Sequence, residues 1–252
     1  MNELREGLGW IGDPNHWSGP DGIPARLLQH VELSVVSLVV AALIAIPVGL
    51  IVGHTRRGQF LAVQVANMGR AIPSLAVVSV MYLIFVSNWP QYAFGFAPTF
   101  VALTLLGIPS ILVNTYVGVQ QVDPDMVESA RGMGMTGRQV LARLEVPLAI
   151  PLIMTGLRLA AVTIVATATL SALIGGGTLG RYIVDGYAQQ DTPKLVAGAL
   201  LVAGLAVLTE LAFSGLTRIT TPRTHSAGRG RRRMPAPGPQ PMPAAHRRSA
   251  GA

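Results

Sequence analysis

The residues able to carry covalent or acid–base chemistry are few and badly placed for it. The chain has no cysteine and a single lysine, Lys194. It contains no G-x-x-x-x-G-K-[ST] loop of the kind that cradles nucleotide phosphates. His16, His30, His54, His225 and His246 lie apart from one another and outside the cores of the apolar runs, so no His/Cys cluster suggests a metal. No Ser–His or Ser–Lys pair is available within the apolar runs for a buried nucleophile. The chemistry left is recognition, by two groups of residues. One is the polar stretch 122–147, which holds Asp123, Asp125, Glu128, Arg131, Arg138, Arg143 and Glu145. The other is Thr163, Thr167 and Ser171, spaced by four within an apolar run. That spacing puts three hydroxyls on one helix face, either a seam for packing against another helix, as small residues commonly provide in membranes, or a weakly polar wall suited to a site that must not bind tightly.

The elements positioning these residues are helices. Between 122 and 147 the sequence predicts a short helix, a glycine turn and a second helix. Asp123-Pro124 is a start signal, an acceptor at the cap followed by proline at the first helical position. Met126, Val127 and Ala130 fall on one side at helical spacing. Gly132 and Gly134 break the helix. Thr136 caps the next, predicted from Gly137 to Leu144 and ended by Pro147. On either side lie runs long enough to cross about 30 Å of hydrocarbon. We read five spans, at about 31–53, 60–86, 98–121, 148–174 and 195–216. Span two is interrupted by Arg70 and Pro73. A charge facing lipid costs roughly 2.5–3.5 kcal/mol, so either the helix begins outside the membrane or Arg70 faces protein or water within it. Arg70 is expected at the cytoplasmic mouth or snorkelling to the inner headgroups. Glu210, in span five, needs a partner or water for the same reason.

Composition agrees with a polytopic all-α membrane protein. Of 252 residues, 50% are hydrophobic and only 12% charged, against roughly 25% charged in soluble domains. The formal net charge of +7 does not point to nucleic acid, because much of it is concentrated after Arg218. Residues 1–26 hold Glu3, Glu6, Asp13 and Asp21 without a long apolar core, so they do not read as a signal peptide. Arginines flank spans at Arg56-Arg57, in the central loop and after span five, and are absent between spans two and three. The positive-inside rule then places the N-terminus outside and the C-terminus in the cytoplasm. The chain divides into an extracytoplasmic segment 1–29, a transmembrane domain 30–217 and a basic tail 218–252. The tail, rich in Pro, Ala, Gly and Arg, is expected to be disordered.

The central stretch resembles a family motif. Glu128-Ser129-Ala130, three residues, Gly134, nine residues, then Leu144-Glu145-Val146-Pro147 is similar to the EAA loop of binding-protein-dependent ABC importer permeases. Ser129, Leu144 and Val146 depart mildly from the family's Ala, Ile and Leu. Ile72-Pro73-Ser74-Leu75-Ala76, and the segment from Thr155 to Gly180, look most like the glycine betaine, choline and osmoprotectant branch. The resemblance covers roughly 25–217. It implies a non-enzymatic permease subunit in the cell membrane, without a cofactor, whose partners are ABC ATPase subunits, a second permease copy or paralogue and an extracytoplasmic substrate-binding protein. It implies that Glu128, Ser129, Ala130, Gly134, Leu144 and Pro147 form the ATPase-coupling loop. Arg70, Pro73, Thr163, Thr167 and Ser171 are candidates for the translocation path. A methionine-type amino-acid permease is the alternative within this class. An ATP-independent channel or structural membrane protein is the alternative outside it.

Overall fold

The structure is a computed structural model and describes residues 2–57, 60, 64, 67 and 71–220. Arg70 and the tail from 221 onward lie outside the described residues. The chain opens with helix α1 (Asn2–Gly12), a 3-10 turn at Pro14–Trp17, and the long helix α2 (Ile23–Thr55). Helices α3 (Ser74–Asn88) and α4 (Phe96–Gln120) follow. The polar stretch forms α5 (Pro124–Gly132) and α6 (Gly137–Val140). Helix α7 (Val146–Thr167) continues as a 3-10 segment, Ala168–Ile174. Two helices complete the chain, α8 (Gly180–Gln189) and α9 (Thr192–Thr220).

Among the described residues four helical runs are long and apolar enough to cross a membrane: Ile23–Thr55, Phe96–Gln120, Gly137–Ile174 and Thr192–Arg218. Helix α3 is apolar but has only 15 residues, roughly 22 Å at 1.5 Å per residue. In the second span, 60–86, the helix is interrupted at Pro73: among the described residues Phe60, Gln64, Asn67 and Ala71 are helical, and a new helix starts at Ser74. Proline disfavours helical geometry at the residue before it, and Pro73 itself serves as the N-cap, its carbonyl accepting from the Val77 N–H at 3.2 Å. Several residues of the first half of that span lie outside the described set.

Helix α4 is the centre of the bundle. It packs against α2 on one side and α7 on the other. The α2 face is made of small residues at every fourth position, Ser37, Ala41, Ala45, Gly49 and Gly53, all buried. In a bilayer, where lipid competes equally for apolar side chains, such a row lets two backbones approach and gain dispersion contacts. The approach is close: a Cβ on Gly49 would lie 2.8 Å from the Thr115 Cβ. Ala41, Ala45, Ile111, Leu112 and Ala160 form one core cluster, and Leu33, Leu103, Ile164 and Ala168 the next.

Helix α9 is peripheral, with only 11% of its most apolar window buried. An ion pair between Arg158 on α7 and Glu210 on α9 ties it to the bundle, which supplies the partner Glu210 requires. Contacts to α1 and α8 hold its first half, where Ile23, Leu179 and Tyr182 pack against Trp10, Leu201 and Leu205.

The helix directions sort the connections onto two ends. One end carries α1, the start of α2, α8 and the 3-10 exit of α7. There the Gly95 N–H donates to the Ile174 carbonyl at 2.8 Å and the Tyr182 hydroxyl to the Asp21 carbonyl at 2.7 Å. Burial raises the Tyr182 phenol to about 12, against a smaller downward pull from Arg26 and helped by Asp21. It therefore remains a donor near neutral pH. The other end carries α5 and α6.

Candidate functional site

The α5–α6 corner is built from local signals. The Asp123 carboxylate accepts from the Asp125 N–H at 2.9 Å, and Pro124 occupies the first turn, where its missing N–H costs nothing. Only Ala130 of α5 is buried. The helix ends in a pair of reversed hydrogen bonds, Met135 N–H to Ala130 carbonyl (3.1 Å) and Gly134 N–H to Arg131 carbonyl (2.9 Å), with Gly134 at φ +87°. This is a Schellman closure, which places a left-handed residue just past the helix. Thr136 then starts α6 with a reciprocal capping box to Gln139.

Gly134 is therefore required by its backbone, since a Cβ there would meet nothing within 4 Å. Gly132 also has open space around it but keeps helical geometry. Gly134→Ala is expected to destabilise the corner by about 1–2 kcal/mol. Gly132→Ala should be neutral or stabilise by up to about 1 kcal/mol. Hydrogen exchange of the 130–136 amides in the two variants checks the contrast; equal protection would contradict it.

Pro147 corrects the sequence reading. It does not end the second helix. Residues Leu141–Glu145 form a π-helical turn, and Val146–Thr167 continues from it, so the helical run extends from Gly137 to Ile174. Proline inside an α-helix lacks a donor and collides with the carbonyl four residues back. The wider turn relieves this by moving the hydrogen-bond register: the Val146 N–H donates to the Leu141 carbonyl, five residues back. Leu144 is half-buried in that turn and Pro147 exposed.

The π turn also directs Glu145 inward. Its carboxylate is buried, and Oε2 accepts from His54 Nδ1 at 2.6 Å. Helix α2 is thereby joined to the corner across 91 residues of sequence. Sequence reasoning missed this pair. The available signal was Glu145 itself, a carboxylate at the edge of an apolar run, which needs a partner if buried. A cleft of about 550 Å³ opens beside it, bounded by His54, Arg56, Val127, Glu128, Arg131 and Glu145. Glu128 and Ser129 are exposed, and Glu128 has no hydrogen bond or ion pair among the described residues. Met126 and Met133 are 45% and 79% exposed, a large apolar area for a segment as charged as 122–147.

The path candidates are not brought together as one wall. Thr163 is exposed and its hydroxyl donates to the Leu159 carbonyl at 2.8 Å; Thr167 is half-buried. Ser171 is buried, with its hydroxyl 2.9 Å from that of Thr178, which donates to the Ala168 carbonyl at 3.1 Å. Ser171 leaves the shared face because the chain tightens to a 3-10 helix at Ala168, where the angular step per residue is larger. Pro73 is exposed at the start of α3.

Comparison with known proteins places this architecture. Residues 45–226 match the family model described as binding-protein-dependent transport system inner membrane component. The glycine betaine/carnitine/choline transport system permease protein of Bacillus subtilis is 32% identical over 195 residues, 77% of this chain and 87% of that protein. A carnitine transport permease protein of Listeria monocytogenes is 33% identical over 195 residues, covering 77% and 86%. Among solved structures, a methionine ABC transporter in inward-facing conformations superposes with a TM-score of 0.69 at 22% identity, over 77% of this chain and 94% of that one. At that identity the likeness concerns the fold.

Proposed function

The chain belongs to the family of binding-protein-dependent transport system inner membrane components, and from that premise we propose that it is the permease subunit of an ATP-binding-cassette importer for a small quaternary-ammonium osmoprotectant. Glycine betaine, choline and carnitine are the substrates considered. The observation that carries the substrate class is the naming of its relatives for these compounds at about one-third identity over 195 residues. ATP hydrolysis is assigned to a separate ATPase subunit, and substrate capture to an extracytoplasmic binding protein. A second permease copy or a paralogue completes the path.

The α5–α6 corner is the ATPase contact in this reading. Four features support it. The corner protrudes, with Glu128 and Ser129 unencumbered. Met133 offers a flexible apolar side chain for an adaptable groove. The capping box and the Schellman turn fix its shape without help from the bundle. The π turn and the His54–Glu145 bond give it two rigid attachments, to α7 and α2. The charge pattern supports placing this end in the cytoplasm: Arg56, Arg57, Arg131, Arg138, Arg143 and Arg218 cluster there. Residues 1–29 then lie outside and 218–252 inside.

Uptake of labelled glycine betaine, choline, carnitine, proline and methionine into cells with and without the chain tests the substrate class. Chain-dependent uptake is expected for the trimethylammonium compounds, and methionine uptake alone would overturn the reading. Glu128→Lys and Met133→Glu test the corner. Both side chains are exposed, so insertion should be unchanged. Uptake should fall at least tenfold, through weaker ATPase retention or uncoupled hydrolysis. Unimpaired uptake in both variants would remove the coupling role.

A further inference from the structure

The end of the bundle opposite the α5–α6 corner holds a pair of clefts with opposite charge. Gly175, at φ +85°, stops the 3-10 exit of α7, and Gly176 and Gly177 continue the turn. The turn is tightly folded: a Cβ on Gly176 would lie 2.6 Å from the Ser171 hydroxyl oxygen. The two clefts meet at Gly175 and Gly176, which line both.

The first cleft, about 250 Å³, has Gln29, Glu32 and Phe96 on its wall. Glu32 is its one ionisable group. It is exposed and has no ion-pair partner among the described residues. It also stands immediately before the uncharged stretch 33–52, where an unpaired carboxylate is least well solvated. Phe96 is 47% exposed and stacks on Phe100 at 6.0 Å. The second cleft, about 500 Å³, holds Arg26, Arg181 and Lys194 against Asp21 and Asp185. Arg26 pairs with Asp21. Arg181 and Lys194 share Asp185, at 3.0 and 4.0 Å. Three cations against two carboxylates leave one positive charge uncompensated.

We propose that these joined clefts form a binding site in the permease for a trimethylammonium zwitterion, with the ammonium at Glu32 and Phe96 and the carboxylate toward Lys194 and Arg181. This deepens the osmoprotectant reading and rests on it. A quaternary ammonium has no N–H to donate, so it is held by a nearby carboxylate and the face of an aromatic ring. A carboxylate is held by charge-assisted bonds from Lys or Arg. Gly175, at φ +85°, makes the turn whose backbone lines both clefts. Both clefts are open on one side, which suits the weak, quickly reversible binding a handover site requires. A cation such as choline would use the Glu32 cleft alone.

The test is saturation-transfer NMR on the full chain in nanodiscs, with choline and carnitine as probes, beside uptake by the assembled transporter. Saturation of the N-methyl protons is expected for both probes. Glu32→Gln, at an exposed position, should reduce it at least fivefold for both. Lys194→Gln should reduce it for carnitine and leave choline unchanged. Unchanged saturation in Glu32→Gln would overturn the site, and equal loss of both probes in Lys194→Gln would overturn the zwitterion assignment. If the wild-type transporter imports the trimethylammonium compounds and the Glu32→Gln transporter does so with the same KM, this inference fails while the proposed function stands. If the wild type neither binds nor imports them, both fail.

Discussion

Replacing Glu210 with leucine is expected to loosen helix α9 from the bundle, and exchanging the charges in Arg158→Glu/Glu210→Arg is expected to restore it. Both partners are about two-fifths exposed in the isolated chain, 38% and 39% at the side chain, so part of the pair faces what a bilayer would fill with lipid. Apart from its packing on α7, the second half of α9 is largely exposed, Val207, Leu208 and Leu211 among it. Losing Glu210 leaves the Arg158 guanidinium unpaired within a span, a cost of roughly 2.5–3.5 kcal/mol if it cannot reach the headgroups. Removing both charges, in Arg158→Leu/Glu210→Met, should be milder than removing one, because no uncompensated charge remains. Protease accessibility of the second half of α9 in membranes, read across Glu210→Leu, the exchange and the double neutral variant, measures this directly. Equal accessibility in wild type and Glu210→Leu would show that the pair does not hold the helix.

The elements best read from sequence are those specified by neighbours along the chain. The apolar runs are local averages, and the structure contains 33–52 within Ile23–Thr55 and 195–216 within Thr192–Thr220. The caps at Asp123 and Thr136 and the break at Gly134 are equally local, each needing a side chain or a backbone angle within a few residues. Pro147 failed because proline's effect depends on which hydrogen-bond register surrounds it, and a π turn is not encoded by any single residue type. The hydroxyl wall failed at Ser171 for a similar reason, since spacing by four implies a shared face only while the helix keeps 3.6 residues per turn. The His54–Glu145 and Arg158–Glu210 pairs join distant segments, so only a need for a partner could be inferred, never its identity. The same limit applies to the two clefts around Gly175 and Gly176, whose charges come from the turn before α2, α2 itself, α8 and the start of α9.

Gly49→Leu should prevent α2 from seating on α4. The row Ser37, Ala41, Ala45, Gly49 and Gly53 sets how closely these two helices approach. At Gly49 the would-be Cβ meets the Thr115 Cβ at 2.8 Å, its Cγ2 at 2.9 Å and the Leu112 carbonyl oxygen at 3.1 Å. The last contact is backbone and cannot rotate away, so the helices must separate. Separation also strips contacts from Ile111 and Leu112, which pack on Ala41 and Ala45 in the same seam. Overpacking a tight core costs about 1–3 kcal/mol, and in a bilayer there is little hydrophobic drive to force the helices back together. Gly49→Ala should show part of the effect. Gly204→Leu, at a position where a Cβ meets nothing within 4 Å, should show none. Thermal unfolding in nanodiscs, followed by the yield of monodisperse protein, orders the three variants. If Gly204→Leu loses as much as Gly49→Leu, the damage comes from inserting leucine into any span, and the close approach of α2 and α4 is not what the glycine protects.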